Sequence, residues 1–246
     1  MQNHEDYVVI IPARYGSSRV AGEPLIESSG VEMILRTDTR CLNVVNPKKI
    51  YVATDNELIK DFCTRNSIQV IMTPETCLTG TDRIAEVSKE IIAPVYINVQ
   101  GDEPLLNPDD LSDLINASLQ EPSTIFNGYC EIKNNDQYVS KNIPKVVFAQ
   151  NKKLLYMSRS PIPFSKVNNH SNSYRQVCIY AFPKKSLDIF LSNPNKTNFE
   201  MNEDIEILRF LELGCEIKMI QMSSESVAVD TIEDVKKVEN IISLKK

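Results

Sequence analysis

Short apolar runs that stop abruptly at polar, glycine-bearing loops set the tightest limit on how this chain can fold. Tyr7-Val-Val-Ile-Ile11 is unbroken apolar sequence ending at Pro12, the mark of a strand covered on both faces. Val95-Tyr-Ile-Asn-Val99 reads as a second such strand and ends at Gln100-Gly-Asp-Glu-Pro104. Between them the spacing predicts a helix over 31–45, with Ile34, Leu35, Leu42 and Val45 on one face. Strands at 50–53 and 68–72 then alternate with helices at 56–66 and 82–92. Such alternation builds an α/β fold, a mainly parallel central sheet with right-handed crossovers and helices on both faces.

The second half is less regular. Strands are expected at 124–130, 145–149, 176–182 and 217–222, with a polar loop at 168–174. A helix is expected at 203–213, with Ile205, Leu208 and Leu211 inward, and a terminal helix at 232–244. No internal repeat, low-complexity tract or linker divides the chain. The expectation is one domain over 1–246 with an inserted sub-region around 125–185.

Composition removes several functions. The 33 acidic residues outnumber the 27 basic ones for a net charge of −6, which argues against broad nucleic-acid binding. No apolar run reaches the roughly 18 residues of a membrane span, and the polar, acidic Met1–Asp6 lacks the basic start of a secretory signal. Six cysteines (41, 63, 77, 130, 178, 215) lie far apart, and with only His4 and His170 there are too few ligands at useful spacing for zinc. Scattered thiols suit a reducing compartment, so the cytoplasm is expected.

In open parallel sheets ligands sit at the carboxyl ends of the strands, near the switch in strand order. Three polar loops fall in such places. The first, over 12–24, sets Gly16 and two serines between Arg14 and Arg19; free N–H groups and arginine can hold a triphosphate, though a solvated turn reads the same. In the second, Asp102 and Glu103 suit either Mg²⁺ or a cap and turn before the helix at 108. The third puts Asp230 before the terminal helix, where by itself a cap is a better reading than a ligand. Of only seven glycines, Gly16, Gly22 and Gly101 lie in these loops and Gly80 in a further candidate site loop, which suggests backbone constraints there.

Taken together, the segments resemble the CMP-Kdo synthetases (3-deoxy-manno-octulosonate cytidylyltransferases). The matching segments are Val9-Ile-Ile-Pro-Ala-Arg-Tyr-Gly-Ser-Ser-Arg19, Val52-Ala-Thr-Asp55, Thr79-Gly-Thr-Asp-Arg-Ile-Ala-Glu-Val87, Asn98-Val-Gln-Gly-Asp-Glu-Pro104, Pro144-Lys-Val-Val147, Tyr156-Met-Ser-Arg-Ser-Pro-Ile-Pro163, Ile179-Tyr180, Glu206-Ile-Leu-Arg209 and Val229-Asp-Thr-Ile-Glu-Asp234. They run in family order over almost the whole chain. The resemblance implies that a sugar acid's anomeric hydroxyl attacks the α-phosphate of CTP, releasing pyrophosphate. It implies Arg14, Ser17 and Arg19 at the triphosphate, and Thr79, Gly80, Thr81 and Arg83 near the cytidine. Asp102 and Asp230 would share Mg²⁺, and Gln100, Arg159, Tyr180 and Glu206 would line the sugar pocket, Arg159 facing the carboxylate. Arg14, Arg19, Asp102 and Asp230 would carry the chemistry. A homodimer formed through the inserted region is also implied.

Three departures from the family pattern stand out. Glu23 replaces a phosphate-binding lysine, Gln176 a sugar-pocket histidine, and Thr79 the usual serine, with no histidine upstream of it. Two readings therefore stand: a cytidylyltransferase for 3-deoxy-manno-octulosonate (Kdo) or a related 2-keto-3-deoxy sugar acid, or a catalytically silent homologue that binds nucleotide or a partner protein.

Overall fold

The computed structural model describes residues 6–16, 22–166, 172–224, 229 and 232–244, except for the side chains of Glu23 and Ile232. Strand β1 (Val8–Ala13) leads through the small hairpin β2 (Glu27–Ser28) and β3 (Val31–Glu32) into α1 (Met33–Leu42). Then come β4 (Ile50–Thr54), α2 (Glu57–Arg65), β5 (Val70–Met72), α3 (Gly80–Glu90), β6 (Val95–Val99) and α4 (Pro108–Gln120). The second half runs β7 (Ile125–Glu131), α5 (Asn135–Val139), β8 (Lys145–Phe148), β9 (Leu154–Ser158), β10 (Tyr174–Pro183) and α6 (Lys184–Leu191). It closes with α7 (Asn198–Glu203), α8 (Ile207–Glu212), β11 (Ile217–Gln221) and α9 (Ile232–Leu244).

The sheet order is β11-β7-β10-β6-β1-β4-β5, with β8 and β9 continuing off β10. Along the seven-strand path β10 alone, among the described residues, runs against the others, pairing antiparallel with both β6 and β7. Both faces are covered, which is why β1 reads as continuous apolar sequence. Val9 and Ile11 pack with α1, α2 and α4 on one side. Val8 and Ile10 pack with α3, α6 and α8 on the other. A smaller cluster of Met33, Leu105, Val229 and Val238 seats α9 beside the loop after β6.

Two sequence expectations need correction. Leu42, expected on the buried face of the first helix, is 42% exposed; the buried positions are Met33, Ile34, Thr37, Asp38 and Cys41, and Leu42 falls off that stripe at the helix end. The helix expected over 203–213 starts only at Ile207 (α8), because the preceding α7 ends at Asp204, whose φ of 50° lies in the left-handed region. Aspartate tolerates that region better than most residues. The capping reading at 102–103 does not hold, because Asn107 caps α4, its side chain accepting the Asp109 N–H at 3.1 Å.

Candidate active site

Strand order reverses between β1 and β6, whose parallel pairing points both following loops to one edge. There a cavity of about 400 Å³ opens, lined by Arg14 from the end of β1 and by Gln100, Gly101 and Asp102 from the end of β6. Thr79, Gly80 and Arg83 of α3 line it as well, as do Arg159, Tyr180 and Glu206 from the second half. Two glycines permit this convergence. A Cβ on Gly101 would stand 3.1 Å from the Pro12 carbonyl oxygen, and one on Gly80 would stand 3.0 Å from Gln100 Nε2.

The first turn of α3 is held from two directions. Thr79 and Asp82 form a reciprocal capping box, Thr79 N–H donating to Asp82 Oδ2 at 2.8 Å and Asp82 N–H to Thr79 Oγ1 at 3.2 Å. Glu206, half-buried at the start of α8, accepts the Gly80 N–H at 3.2 Å, the Thr81 N–H at 3.0 Å and the Thr81 hydroxyl at 2.6 Å. Burial pushes the Glu206 carboxyl up from its ordinary value, partly offset by these hydrogen bonds. The expectation that the 79–81 backbone receives the cytidine is modified accordingly. The Gly80 and Thr81 N–H groups already have an acceptor, and the buried Thr81 does not line the cavity.

Arg83 lines the cavity, but its guanidinium is turned toward the sheet. It is 2% exposed, with Nη1 donating to Thr73 Oγ1 at 2.7 Å and Nη2 paired with Asp55. It ties α3 to the ends of β4 and β5. Tyr180 forms part of the floor, accepting from Gln176 Nε2 at 3.1 Å, and the same nitrogen donates to Asn127 Oδ1 at 3.0 Å. Burial drives the Tyr180 hydroxyl well above its ordinary pKa.

Arg159 follows β9 and behaves as a clamp. Its Nε donates to the Glu203 carbonyl at 2.6 Å, Nη1 to the carbonyls of Lys141 and Asn142 at 3.1 and 3.2 Å, and Nη2 to that of Asp204 at 2.9 Å. Glu203 returns the grip, accepting the Arg159 N–H at 2.8 Å. Beneath it Lys145, fully buried, donates to the Ser140 carbonyl at 2.6 Å and also to the Arg159 carbonyl. Burial, and then the neighbouring Arg159, lower the Lys145 ammonium to about 8. Sequence reading missed Lys145, Lys196, Glu203 and Asp204; only Lys145 sits in a matching motif, while Lys196 lies in a loop and Glu203 and Asp204 at the end of α7, with no local signal.

Ser17, Arg19 and Asp230 lie outside the described residues, as does the side chain of Glu23, whose backbone begins a short 3₁₀ turn over Glu23–Leu25. Among the described residues no three histidine, cysteine or acidic side chains cluster as a metal cage. The donor set nevertheless fits Mg²⁺, which takes one or two carboxylates and completes its shell with phosphate oxygens and water. Asp102 lines the cavity, and its carbonyl accepts the N–H of Val229, the residue before Asp230, at 2.9 Å.

The model of the cytidylyltransferase family matches residues 8–222. This chain belongs to that family. Within it, the 3-deoxy-manno-octulosonate cytidylyltransferase of Escherichia coli is 32% identical over 96% of each chain. The mitochondrial 3-deoxy-manno-octulosonate cytidylyltransferase of Arabidopsis thaliana is 35% identical over 96% of this chain and 82% of its own. The solved structure of a CMP:2-keto-3-deoxy-manno-octonic acid synthetase complexed with CTP superposes with a TM-score of 0.90 at 31% identity, covering 98% of this chain and 100% of the other. This cytidylyltransferase is therefore a nucleotidyltransferase, with the mainly parallel α/β architecture expected from its sequence. The 4-diphosphocytidyl-2C-methyl-D-erythritol synthase of Anaerococcus prevotii, 17% identical with a TM-score of 0.62 over 96% of each chain, shares the fold.

Proposed function

We propose that this cytidylyltransferase transfers CMP from CTP to the anomeric hydroxyl of Kdo or a related 2-keto-3-deoxy sugar acid. The observation that carries this reading is the meeting of Arg14, Gln100 and Asp102 with Arg159 and Tyr180 around one cavity, in a chain similar over its full length to the Kdo enzymes. Arg14, with Ser17 and Arg19, would hold the triphosphate; guanidinium forks suit phosphate oxygens. Asp102 and Asp230 would hold Mg²⁺, which when bound spreads the phosphate charge and eases loss of the hydroxyl proton. The rest is positioning: Gln100 and Tyr180 place the sugar, while Arg159 and Glu206 fix the walls that face it. A new bond forms between the anomeric oxygen and the α-phosphorus, and the α–β bridging bond breaks as pyrophosphate leaves.

The domain reading remains one domain with an inserted sub-region around 125–185. A homodimer built on that region is supported by the exposed apolar side chains of Val139, Leu155 and Phe164. A cytoplasmic location agrees with the six cysteines being free thiols. Pyrophosphate release with Mg²⁺, scanned over four nucleoside triphosphates and a panel of 2-keto-3-deoxy sugar acids, tests the activity. Turnover confined to CTP with a sugar acid is expected; no turnover with any pair would overturn it.

A further inference from the structure

A sugar acid brings a carboxylate that needs a cation, and the residue first expected to supply it is largely committed elsewhere. A guanidinium has five N–H donors. Four hydrogen bonds from Arg159 to the carbonyls of Lys141, Asn142, Glu203 and Asp204 leave at most one for a ligand. Lys196, in the loop between α6 and α7, lines the same cavity. Its Nζ lies 3.2 Å from Asp204 Oδ1, while Arg159 Nη2 lies 3.9 Å from Asp204 Oδ2. One carboxylate therefore already stands between these two cations, on a side chain that is 72% exposed.

Resting on the function proposed above, we propose that Lys196 is the specificity residue for the substrate carboxylate, which takes the place of Asp204 between Lys196 and the remaining Arg159 N–H. The chemistry suits the exchange. An ammonium on a four-carbon stem carries three donors that turn freely to a new acceptor, and Asp204, being exposed, is readily taken up by water. Asp204 thus holds the cation in place until a carboxylate arrives. A neutral sugar, offering no anion, cannot displace it.

The test uses the full-length chain, with Kdo and its carboxamide as paired probes. Titration calorimetry gives the affinity of each, and of CTP, for the wild type, Lys196→Met and Lys196→Arg. Lys196→Met should weaken Kdo binding about tenfold to a hundredfold, the scale of a hydrogen bond to a charged group. CTP affinity should stay within about twofold, the carboxamide should show no comparable loss, and Lys196→Arg should restore much of the Kdo affinity. Equal losses for Kdo and the carboxamide, or no loss for Kdo, would overturn the assignment while leaving the proposed function standing. Failure of the wild type to bind any sugar acid would overturn both.

Discussion

Val229 gives its backbone N–H to the carbonyl of Asp102 at 2.9 Å, joining the loop after β6 to the segment that leads into α9. Only main-chain atoms are used. Packing of Leu105 against Val229 and Val238 supports the same junction, so the Asp102 side chain can be altered without untying it.

Asp102→Asn should therefore abolish turnover yet leave the thermal midpoint within a few degrees of wild type. Pyrophosphate release and melts measured on the same preparation decide this. Activity near wild type would remove Asp102 from the metal site.

The Arg209–Glu200 pair presents the opposite case. Nε and Nη2 of Arg209 fork onto Glu200 at 2.6 and 2.7 Å, both side chains wholly buried, with the guanidinium over the Phe190 ring. Removing one partner strands a buried charge, so Glu200→Gln or Arg209→Met should cost about 3–5 kcal/mol. Calorimetric melting should show a drop of roughly 6–20 °C. Because Arg209 Nη1 also reaches Asp82 Oδ1 at 3.4 Å, the α3 end of the cavity should loosen too.

Asp38 sets a pH-dependent penalty. Burial lifts its carboxyl from 3.8 to about 6, so the folded chain binds this proton more tightly than the unfolded one. Stability is then greatest below about 4 and falls as pH rises through about 6. Asp38→Asn should stabilise the protein at pH 7.5 by about 1–3 kcal/mol and give no benefit at pH 4. Denaturant titrations at both pH values check it.

Gly80 and Gly101 should differ when changed to alanine. At Gly101 the new methyl meets a backbone oxygen, that of Pro12, and the loop must move at a cost of about 1–3 kcal/mol. At Gly80 it meets the amide end of Gln100, which can swing aside, and stands 3.2 Å from Pro12 Cγ, a contact eased by a shift of a few tenths of an ångström. Gly80→Ala should accordingly keep its melting temperature while losing affinity for substrate, as paired melts and steady-state kinetics would reveal.

Glu23→Lys restores the lysine of the family pattern and should tighten CTP binding by about 1–3 kcal/mol after screening. Calorimetric titration at two Mg²⁺ concentrations reads the difference. Equal affinities would place Glu23 outside the phosphate site.

Much of the first half was legible because β1, β4 and β6 are buried on both faces and each leads on to its own helix, so local pattern and final position agree. The loops after β1 and β6 could be placed together for the same reason. What stayed hidden depends on distant partners. Glu206 lines the cavity and also caps a helix 126 residues earlier in the chain, and no local pattern announces such a bond. The break at Asp204 accompanies Arg159 reaching the carbonyls of Glu203 and Asp204, which a helical period cannot foresee. Arg83 illustrates the reverse limit: its motif brought it to the cavity wall, while Asp55 and Thr73 decided where its guanidinium points.

The reversed strand β10 has a consequence for how the chain assembles. β6 and β7 run in the same direction but are not paired with each other, β10 standing hydrogen-bonded between them. A nascent chain that has emerged only as far as Ser158 already contains β1, β4, β5 and β6, yet the outer edge of β6 has no neighbour to pair with. Until residues from Tyr174 onward arrive, the growing protein carries an open ladder beside the loop that follows β6, the kind of edge that recruits foreign strands. Closure of the sheet and completion of the cavity floor by Tyr180 are thus one late event, and a chain truncated before β10 should aggregate instead of forming half an enzyme.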